Sequence, residues 1–251
     1  MDSDLNNNVV GVILAGGEGK RLRPLTYYFQ KCMIPIGSEQ KPLLEYILLH
    51  LRKHGINSVK LLVGYKHEQI VNYFNSGSRF GLDIEYFHDD PSMGGSGGAL
   101  LNAATKDAFK IANILLVYYG DILSNLNLSA LIKQHIDSDA CATIAVTNKY
   151  EVPVGVADID GTTVKSWIEK PEISIYAGIG VVAFDIEVLD DLNKFDTGAN
   201  QMDIMGDLIP YLVQHGKKVD AYLTDAFWYD VGSTEKYEKI DNGLIDKLFK
   251  E

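Results

Sequence analysis

The residues best suited to chemistry form a glycine-rich loop with a basic end, LAGGEGKRLRP at residues 14–24. Glycines that follow a strand leave backbone N–H groups free and let a phosphate approach them closely. Residues 18–31 carry four basic side chains against one acidic side chain, in a chain whose formal net charge is −11. This local excess predicts a polyphosphate-binding loop, and a solvated surface loop is the alternative.

The spacing in this loop excludes two common phosphate-binding motifs. A P-loop needs a glycine where Leu14 stands, and Ser or Thr where Arg21 follows Lys20. A dinucleotide fingerprint that starts at Gly17 needs a small residue at the position of Leu22. The loop is therefore predicted to bind phosphate in neither of these ways.

Two aspartates follow β-type runs. Asp121 comes directly after the apolar run 114–119 and Gly120, and Asp230 follows Trp228 and Tyr229. Open α/β sheets bind ligands at the carboxyl ends of their strands. Mg²⁺ in phosphate chemistry is usually held by one or two carboxylates plus phosphate oxygens. Carboxylates at these positions can bind Mg²⁺, but for either aspartate alone a helix-capping or turn-forming role is the commoner explanation.

A third candidate group is WIEKP at residues 167–171. Lys170 can hold a phosphate, and Glu169 can accept hydrogen bonds from sugar hydroxyls. A surface ion pair explains these two residues equally well.

The pattern of apolar residues predicts the elements that position these groups. Strands are predicted at 9–14, 59–63, 84–87, 114–118 and 142–146, with amphipathic helices between them, such as 42–54. This alternation predicts an α/β fold with a doubly wound, mostly parallel sheet. Beyond residue 150 shorter strands are predicted at 155–159, 164–169 and 178–184, which we interpret as a second lobe of the same domain.

Composition excludes several classes of protein. Of the 251 residues, 46% are hydrophobic, so a large core can form and extended disorder is excluded. The acidic balance argues against binding to nucleic acid or to an anionic membrane. Cys32 and Cys141 are too few for a disulfide framework, and residues 1–8 form a polar tail without signal-peptide features. A cytoplasmic protein is predicted.

Taken in order, the motifs resemble those of the sugar-1-phosphate nucleotidyltransferases, also called sugar-nucleotide pyrophosphorylases. The resemblance covers LAGGEGKRLRPLT at 14–26, Lys31, GD at 120–121, EKP at 169–171, AGI at 177–179 and WYDVGS at 228–233. It implies a Rossmann-like, doubly wound mixed sheet with a smaller sugar-binding lobe. Residues 9–251 would form one domain, with a nucleotide-binding part at about 9–150 and a sugar-binding part at about 151–251. Many relatives carry a C-terminal β-helix, which is not expected here.

The resemblance also implies a reaction and a role for each matched residue. A nucleoside triphosphate would be joined to a sugar 1-phosphate with release of pyrophosphate, and Mg²⁺ would be the cofactor. Three residues would be catalytic, with Arg21 and Lys31 on the triphosphate and Lys170 on the sugar phosphate. The remaining matched residues would bind the nucleotide (Leu14, Ala15, Gly16, Gly17), the sugar (Glu169, Lys170, Gly155, Gly178) and magnesium (Asp121, Asp230).

The sequence departs from the family at several of these motifs. Gln30 and Cys32 flank Lys31 where the family usually has prolines, and Lys20 stands where Ser or Thr is common. Tyr176 and Val154 replace an Asn and a Tyr near the sugar. The phosphate-binding residues therefore match better than the sugar pocket.

The loop DDPSMGGSGGA at residues 89–99 is predicted to select the base, with Gly95 and Ser96 against the nucleotide. Its glycines would let the backbone approach a flat base; a flexible loop that leads into a helix near Gly98 is the alternative. Asp90 would accept hydrogen bonds from N1–H and N2–H of guanine, unless Asp89 points inward instead. The loop resembles that of mannose- or heptose-phosphate guanylyltransferases.

These observations favour transfer from GTP to mannose 1-phosphate or a related sugar phosphate. Two alternatives remain: a glucose-1-phosphate thymidylyl- or uridylyltransferase, and a catalytically weak regulatory subunit that binds sugar nucleotides. The expected partners are the two small substrates, without nucleic acid or membrane, and homo-oligomerisation is left open.

Overall fold

A computed structural model describes residues 8–152, 154–194 and 201–249. Most of the predicted polar tail, residues 1–7, lies outside the described residues. The carbonyl of Asn8 accepts hydrogen bonds from the backbone N–H groups of Asn113 (2.9 Å) and Ile114 (3.1 Å).

The strands and helices follow the predicted alternation closely. The strands are β1 (Val9–Ala15), β2 (Pro35–Ile36), β3 (Lys41–Pro42), β4 (Ser58–Val63), β5 (Asp83–His88), β6 (Ile114–Tyr119), β7 (Ile122–Ser124), β8 (Ala142–Thr147), β9 (Tyr150–Glu151), β10 (Val156–Asp160), β11 (Thr163–Ile168), β12 (Glu172–Ile173), β13 (Ala177–Asp185), β14 (Val219–Leu223) and β15 (Trp228–Asp230). The helices are α1 (Leu43–Lys53), α2 (His67–Phe74), α3 (Gly95–Thr105), α4 (Leu128–Ser138), α5 (Val188–Lys194), α6 (Ile209–Gln214), α7 (Thr234–Glu238) and α8 (Asn242–Leu248).

Within the described residues the central sheet has seven strands in the order β14-β8-β13-β6-β1-β4-β5. Only β13 runs against its neighbours in this sheet as described, since β1 is parallel to β4 and β6, β4 to β5, and β14 to β8. The predicted doubly wound mixed α/β sheet is therefore confirmed.

Alternation along β1 explains why helices cover both faces of the sheet. Ile13 packs into a core with residues of α1, α2 and α4, whereas Val12 packs into a second core with residues of α3, α5 and α6. Neighbouring side chains of a strand point to opposite faces, and both of these are 0% exposed. Burial on both faces is what the unbroken apolar run of β1 requires.

The part after residue 150 is divided between the central sheet and a small lobe. β13 and β14 belong to the part that was predicted as a second lobe of the domain. In the structure these two strands extend the central sheet. β10 and β11 form an antiparallel hairpin whose turn includes Gly161 at φ 59°. β12 pairs with β9 in a second two-stranded sheet.

Residues 201–249, the last part that the structure describes, contain helices and short strands and no β-helix. None of the helices in the described ranges combines the length and apolar character that crossing a membrane requires.

Candidate active site

A cavity of about 340 Å³ lies at the carboxyl ends of β1 and β6, where the glycine-rich loop begins. The two strands are adjacent and parallel, so the residues that follow them meet at one edge of the sheet. Eight of the predicted site residues line it together: Leu14, Ala15, Gly16, Gly17, Lys31, Gly95, Ser96 and Asp121. The remaining lining residues are Gln30, Cys32, Leu62, Asp89, Ala99 and Tyr119.

A second, more open cavity of about 430 Å³ lies beside the first. It is lined by Glu18, Gly19, Lys20, Arg21, Lys31 and Gly232. Glu18 is ion-paired with Lys20 at 3.4 Å. The other charged residues of this lining, Arg21 and Lys31, are both positive. Lys31 lines both cavities, and an extended anion in the second cavity would reach the first beside its ammonium.

Lys31 is ion-paired with Asp121. Both side chains are largely buried, with 14% and 22% of their surface exposed. Gly19 permits this placement because a Cβ on it would lie 2.9 Å from a Thr26 methyl carbon and 3.2 Å from the Lys31 Cβ. The arrangement brings the predicted phosphate-binding lysine and a predicted metal ligand into direct contact.

The two predicted metal ligands lie on paired strands. β15 pairs with β7 so that Asp230 lies opposite Ile122, and the Val231 N–H donates to the Asp121 carbonyl at 2.8 Å. Lys236 donates to the Asp230 carboxylate at 2.6 Å. Each aspartate thus already binds a cationic group in the absence of metal.

This donor set fits Mg²⁺. In the described parts of the chain no three His, Cys, Asp or Glu side chains gather as a metal site. Mg²⁺ in phosphate sites needs only one or two carboxylates, because substrate oxygens and water complete its shell. Asp121 and Asp230 supply hard oxygen donors of that number, next to cavities with cationic walls.

Asp89, rather than Asp90, lies on the wall of the first cavity. A Cβ added to Gly16 or Gly64 would overlap the Asp89 carboxylate, so this group lies directly against both glycines. Partial burial there raises the pKa of Asp89. The Asp90 carboxylate instead accepts hydrogen bonds from Ser92 N at 2.8 Å and Ser92 Oγ at 2.7 Å, which lower its pKa. The predicted position of Asp90 at the base is therefore corrected.

The glycines of the predicted base loop have a structural cause. Gly95 has φ +81°, and a Cβ on it would overlap the backbone of Met202. The Gly97 N–H donates to the Met202 carbonyl at 2.8 Å, and the Met202 N–H donates to Gly94 at 2.9 Å. α3 consequently begins at Gly95 rather than near Gly98. Close packing against Met202 requires glycine at position 95, and the predicted contact of Gly95 with the base stays a prediction.

Ser96 lines the cavity, but its hydroxyl is engaged by the protein. Its Oγ donates to Asp203 at 2.8 Å and accepts from the Ile204 N–H at 2.8 Å. Tyr119, at the end of β6, donates to the same Oγ at 3.3 Å. Burial raises the pKa of Tyr119 to about 12, so its hydroxyl keeps its proton at neutral pH.

Of the predicted sugar residues, Gly155, Glu169 and Lys170 lie on the small lobe and Gly178 lies in the central sheet, and none of them lines the two cavities as described. Gly155 is packed against Trp167 and Glu169, since a Cβ on it would overlap the Trp167 ring. Trp167 Nε1 donates to Glu169 Oε2 at 3.3 Å. Gly178, on β13, faces Met205, whose Cε would lie 3.3 Å from an added Cβ.

Lys170 has an exposed side chain and a positive φ of 46°. It faces the C-terminal segment: the pKa of Glu235 is lowered chiefly by a hydrogen bond from Lys239, and the charge of Lys170 contributes.

The sequence predicted no role for three cavity or support residues: Gln30, Tyr119 and Lys236. Tyr119 carried a signal, because it ends a buried strand just before Gly120 and Asp121. Gln30 was visible only as a departure from the usual proline. Lys236 gave no signal in the sequence, because its contact with Asp230 depends on how α7 packs against β15.

Comparison with known proteins agrees with this geometry. A family model described as nucleotidyl transferase matches residues 10–247. The chain is 32% identical to a UTP–glucose-1-phosphate uridylyltransferase of Synechocystis sp., over 95% of this chain and 64% of that protein. It is 31% identical to a D-glycero-alpha-D-manno-heptose 1-phosphate guanylyltransferase of Aneurinibacillus thermoaerophilus, over 93% of this chain and 97% of that one. The chain thus spans less than two thirds of the first relative and nearly all of the second.

Solved structures share the fold. HddC from Yersinia pseudotuberculosis, crystallised with GMP-PN, has a TM-score of 0.69 and 24% identity, covering 92% of this chain and 97% of HddC. A chain from Bacillus anthracis, crystallised with sucrose, has a TM-score of 0.76 and 23% identity, with 94% of each chain covered. The family match over residues 10–247 confirms the resemblance of the sequence motifs: this chain belongs to the nucleotidyl transferase family.

Proposed function

We propose that this chain joins a nucleoside triphosphate to a sugar 1-phosphate and releases pyrophosphate. The observation that carries this proposal is the position of Lys31, which lines both the cavity at the end of β1 and the neighbouring cationic cavity. A triphosphate that enters with its nucleoside in the first cavity would place its outer phosphates among Lys20, Arg21 and Lys31. The relatives, which are named for such transfers, support the same reaction class.

In the proposed reaction a phosphate oxygen of the sugar 1-phosphate attacks the α-phosphorus of the triphosphate. The bond between the α-phosphorus and the bridging oxygen breaks, and pyrophosphate leaves with that electron pair. Both substrates are anions, so positioning and neutralisation of charge supply most of the catalysis. Arg21 and Lys31 stabilise the leaving pyrophosphate, and Lys170 presents the attacking phosphate from the small lobe.

Asp121 and Asp230 would hold Mg²⁺, which, when bound, offsets the charge of the phosphates and polarises the α-phosphorus. The chain must first release both carboxylates from Lys31 and Lys236. Once its ammonium is released from Asp121, Lys31 is available to bind the triphosphate.

For the base we propose guanine, read by Asp89. An ionised carboxylate only accepts hydrogen bonds, and guanine presents two adjacent N–H donors, whereas uracil and thymine present one N–H between two carbonyls. The Asp89 carboxylate lies against Gly16, the first glycine of the loop, on the wall of the cavity. For the sugar we propose mannose or heptose 1-phosphate, supported by the heptose-specific relative that this chain matches over nearly its full length.

Pyrophosphate release tests this function. Purified protein with Mg²⁺ is offered GTP, UTP, dTTP, CTP and ATP, each with mannose, glucose and heptose 1-phosphates. Fastest release with GTP supports the proposal in full. Release with UTP or dTTP alone keeps the reaction and rejects guanine, an outcome that the uridylyltransferase relative makes the second candidate.

A protein that releases no pyrophosphate but binds finished sugar nucleotides would instead be the regulatory subunit. Calorimetry with GDP-, UDP- and dTDP-sugars separates that outcome from an untested sugar. The cytoplasmic location remains a prediction of the sequence, and homo-oligomerisation is left open.

A further inference from the structure

We propose that the carboxamide of Gln30 is a positioning group that holds Lys31 at the nucleotide loop. This inference rests on the proposed function, because the value of Lys31 to the reaction is part of that function. Gln30 is 1% exposed, and its side chain lines the first cavity. A buried carboxamide is costly unless its donor and acceptor are both satisfied, so its contacts explain its presence.

Both ends of the Gln30 side chain are satisfied, and they join two segments of the site. Its Nε2 donates to the carbonyl of Ala15, the last residue of β1, at 2.6 Å. Its Oε1 accepts from the backbone N–H of Cys32 at 2.5 Å. The side chain therefore ties the start of the glycine-rich loop to the short 3₁₀ turn Lys31–Met33, which it caps.

The backbone of Gln30 is also fixed. Its N–H donates to Gln69 Oε1 on α2 at 2.7 Å, and its carbonyl accepts from the Met33 N–H at 2.9 Å. Cys32, on the other side of Lys31, is packed against Gly120, where an added Cβ would lie 2.7 Å from its sulfur. Lys31 is thus held between a residue bound to β1 and a residue packed beside Asp121.

These contacts give Gln30 the role that a stiffening proline would otherwise have before the lysine. Gln30 has φ −65° and ψ 144°, and a proline ring fixes φ near this value. Here the turn is held by hydrogen bonds to the loop itself. The carboxamide therefore fixes the distance between the loop, which binds phosphate, and the ammonium that neutralises it.

Three variants test the inference. Gln30→Leu removes both side-chain bonds, and Gln30→Pro removes them together with the backbone N–H bond to Gln69 but keeps the backbone angle. Thr143→Val is the matched control. Thr143 is 0% exposed, and its replacement by valine removes a buried 2.9 Å hydrogen bond with His135. Thr143 lines neither cavity. All three are expected to unfold at a lower temperature than wild type.

If Gln30 positions Lys31, Gln30→Leu lowers kcat by about tenfold or more with little change in KM for the sugar phosphate. Gln30→Pro recovers much of that loss, and Thr143→Val keeps kcat near the wild-type value. Equal losses of kcat in Gln30→Leu and Thr143→Val would overturn the inference, because they would trace the loss to stability alone.

A second readout does not depend on activity. Lys31, 14% exposed and ion-paired, is expected to resist trace acetylation by acetic anhydride, with the 68% exposed Lys110 as the internal reference in the same digest. Mass spectrometry should find Lys31 acetylated severalfold faster in Gln30→Leu and unchanged in Thr143→Val. If wild type proves inactive while this difference is found, the positioning role stands and the proposed function fails. If Lys31 stays equally protected in all variants, the positioning role fails whatever the activity.

Discussion

The ammonium of Lys31 donates a hydrogen bond to the carboxylate of Asp121, ninety residues further along the chain. Lys31 is the first residue of a short 3₁₀ turn that follows the glycine-rich loop, and Asp121 follows β6. The residue proposed to bind the triphosphate therefore neutralises a residue proposed to bind the metal. Because both are mostly buried, neither can lose the other without a replacement of the same charge.

Removing either member of this pair is expected to abolish most of the activity. Lys31→Ala and Asp121→Ala should each lower kcat by about two orders of magnitude or more, the usual effect of one lost electrostatic group. The measurement is pyrophosphate release with saturating Mg²⁺ and GTP. Lys133→Ala, which breaks an exposed ion pair with Asp137, is the control and should keep the wild-type rate. Near wild-type turnover in Lys31→Ala or Asp121→Ala would remove that residue from the mechanism.

Asp89 and Asp90 are neighbouring carboxylates with different partners, and they provide a matched test of base selection. Asp89→Asn should lower the ratio of kcat/KM for GTP to that for UTP, because an amide presents a donor where guanine presents donors. Asp90→Asn should leave the ratio unchanged, since Asp90 binds Ser92 rather than the cavity. A larger change in Asp90→Asn than in Asp89→Asn would contradict the assignment.

The same carboxylate gives base selection a pH dependence. Burial raises the pKa of Asp89 above its ordinary value, so protonation begins at a higher pH than for a free aspartate. As pH falls through that raised pKa, Asp89 loses its acceptor character, and KM for GTP should rise. The Asp89→Asn enzyme should lack this acid limb. An identical limb in both enzymes would assign it to another group.

Lys236 is expected to compete with the metal for Asp230. Its ammonium lies 2.6 Å from the Asp230 carboxylate, and Lys236 lies in α7 beside Glu235. Lys236→Met should therefore tighten binding of Mn²⁺ to the substrate-free protein, measured by electron paramagnetic resonance of the free ion. Lys239→Met is the control, because Lys239 pairs with Glu235 at 2.5 Å instead. Equal or weaker Mn²⁺ binding by Lys236→Met would mean that the lysine does not occupy the metal's place.

His50 predicts a loss of stability in mild acid. It is 7% exposed, and its Nε2 donates to the Leu126 carbonyl at 2.8 Å. Burial, with smaller contributions from His54 and Lys53, lowers its pKa from 6.5 to about 4. Between these two pKa values the unfolded chain binds a proton at His50 that the native state does not bind. The free energy of unfolding therefore falls as the pH drops from 6.5 towards 4.

This effect of His50 should reach on the order of 3 kcal/mol at its largest. Urea unfolding of wild type and His50→Gln at a series of pH values measures it as the difference between two curves. His215→Gln, at an exposed position, should follow wild type throughout. Parallel curves for wild type and His50→Gln would show that His50 is not the source.

The sequence alone determined the fold class and the chain positions of the phosphate chemistry. The apolar run of β1 must be buried on both faces, which demands helices on both sides of a sheet. A glycine-rich loop after such a strand must then lie at a ligand-binding edge. These conclusions follow from local periodicity and from steric freedom, which depend only on neighbouring residues.

Only the tertiary structure decided which side chains meet. The pairing of Lys31 with Asp121, the choice of Asp89 over Asp90 and the anchoring of Ala15 by Gln30 all join residues whose relative orientation depends on the packing of separate segments. Gly95 and Gly97 illustrate the same limit, because a sequence shows that a close approach is needed but not that Met202 makes it. Side-chain direction and long-range proximity are set by the packed core, and no local pattern encodes them.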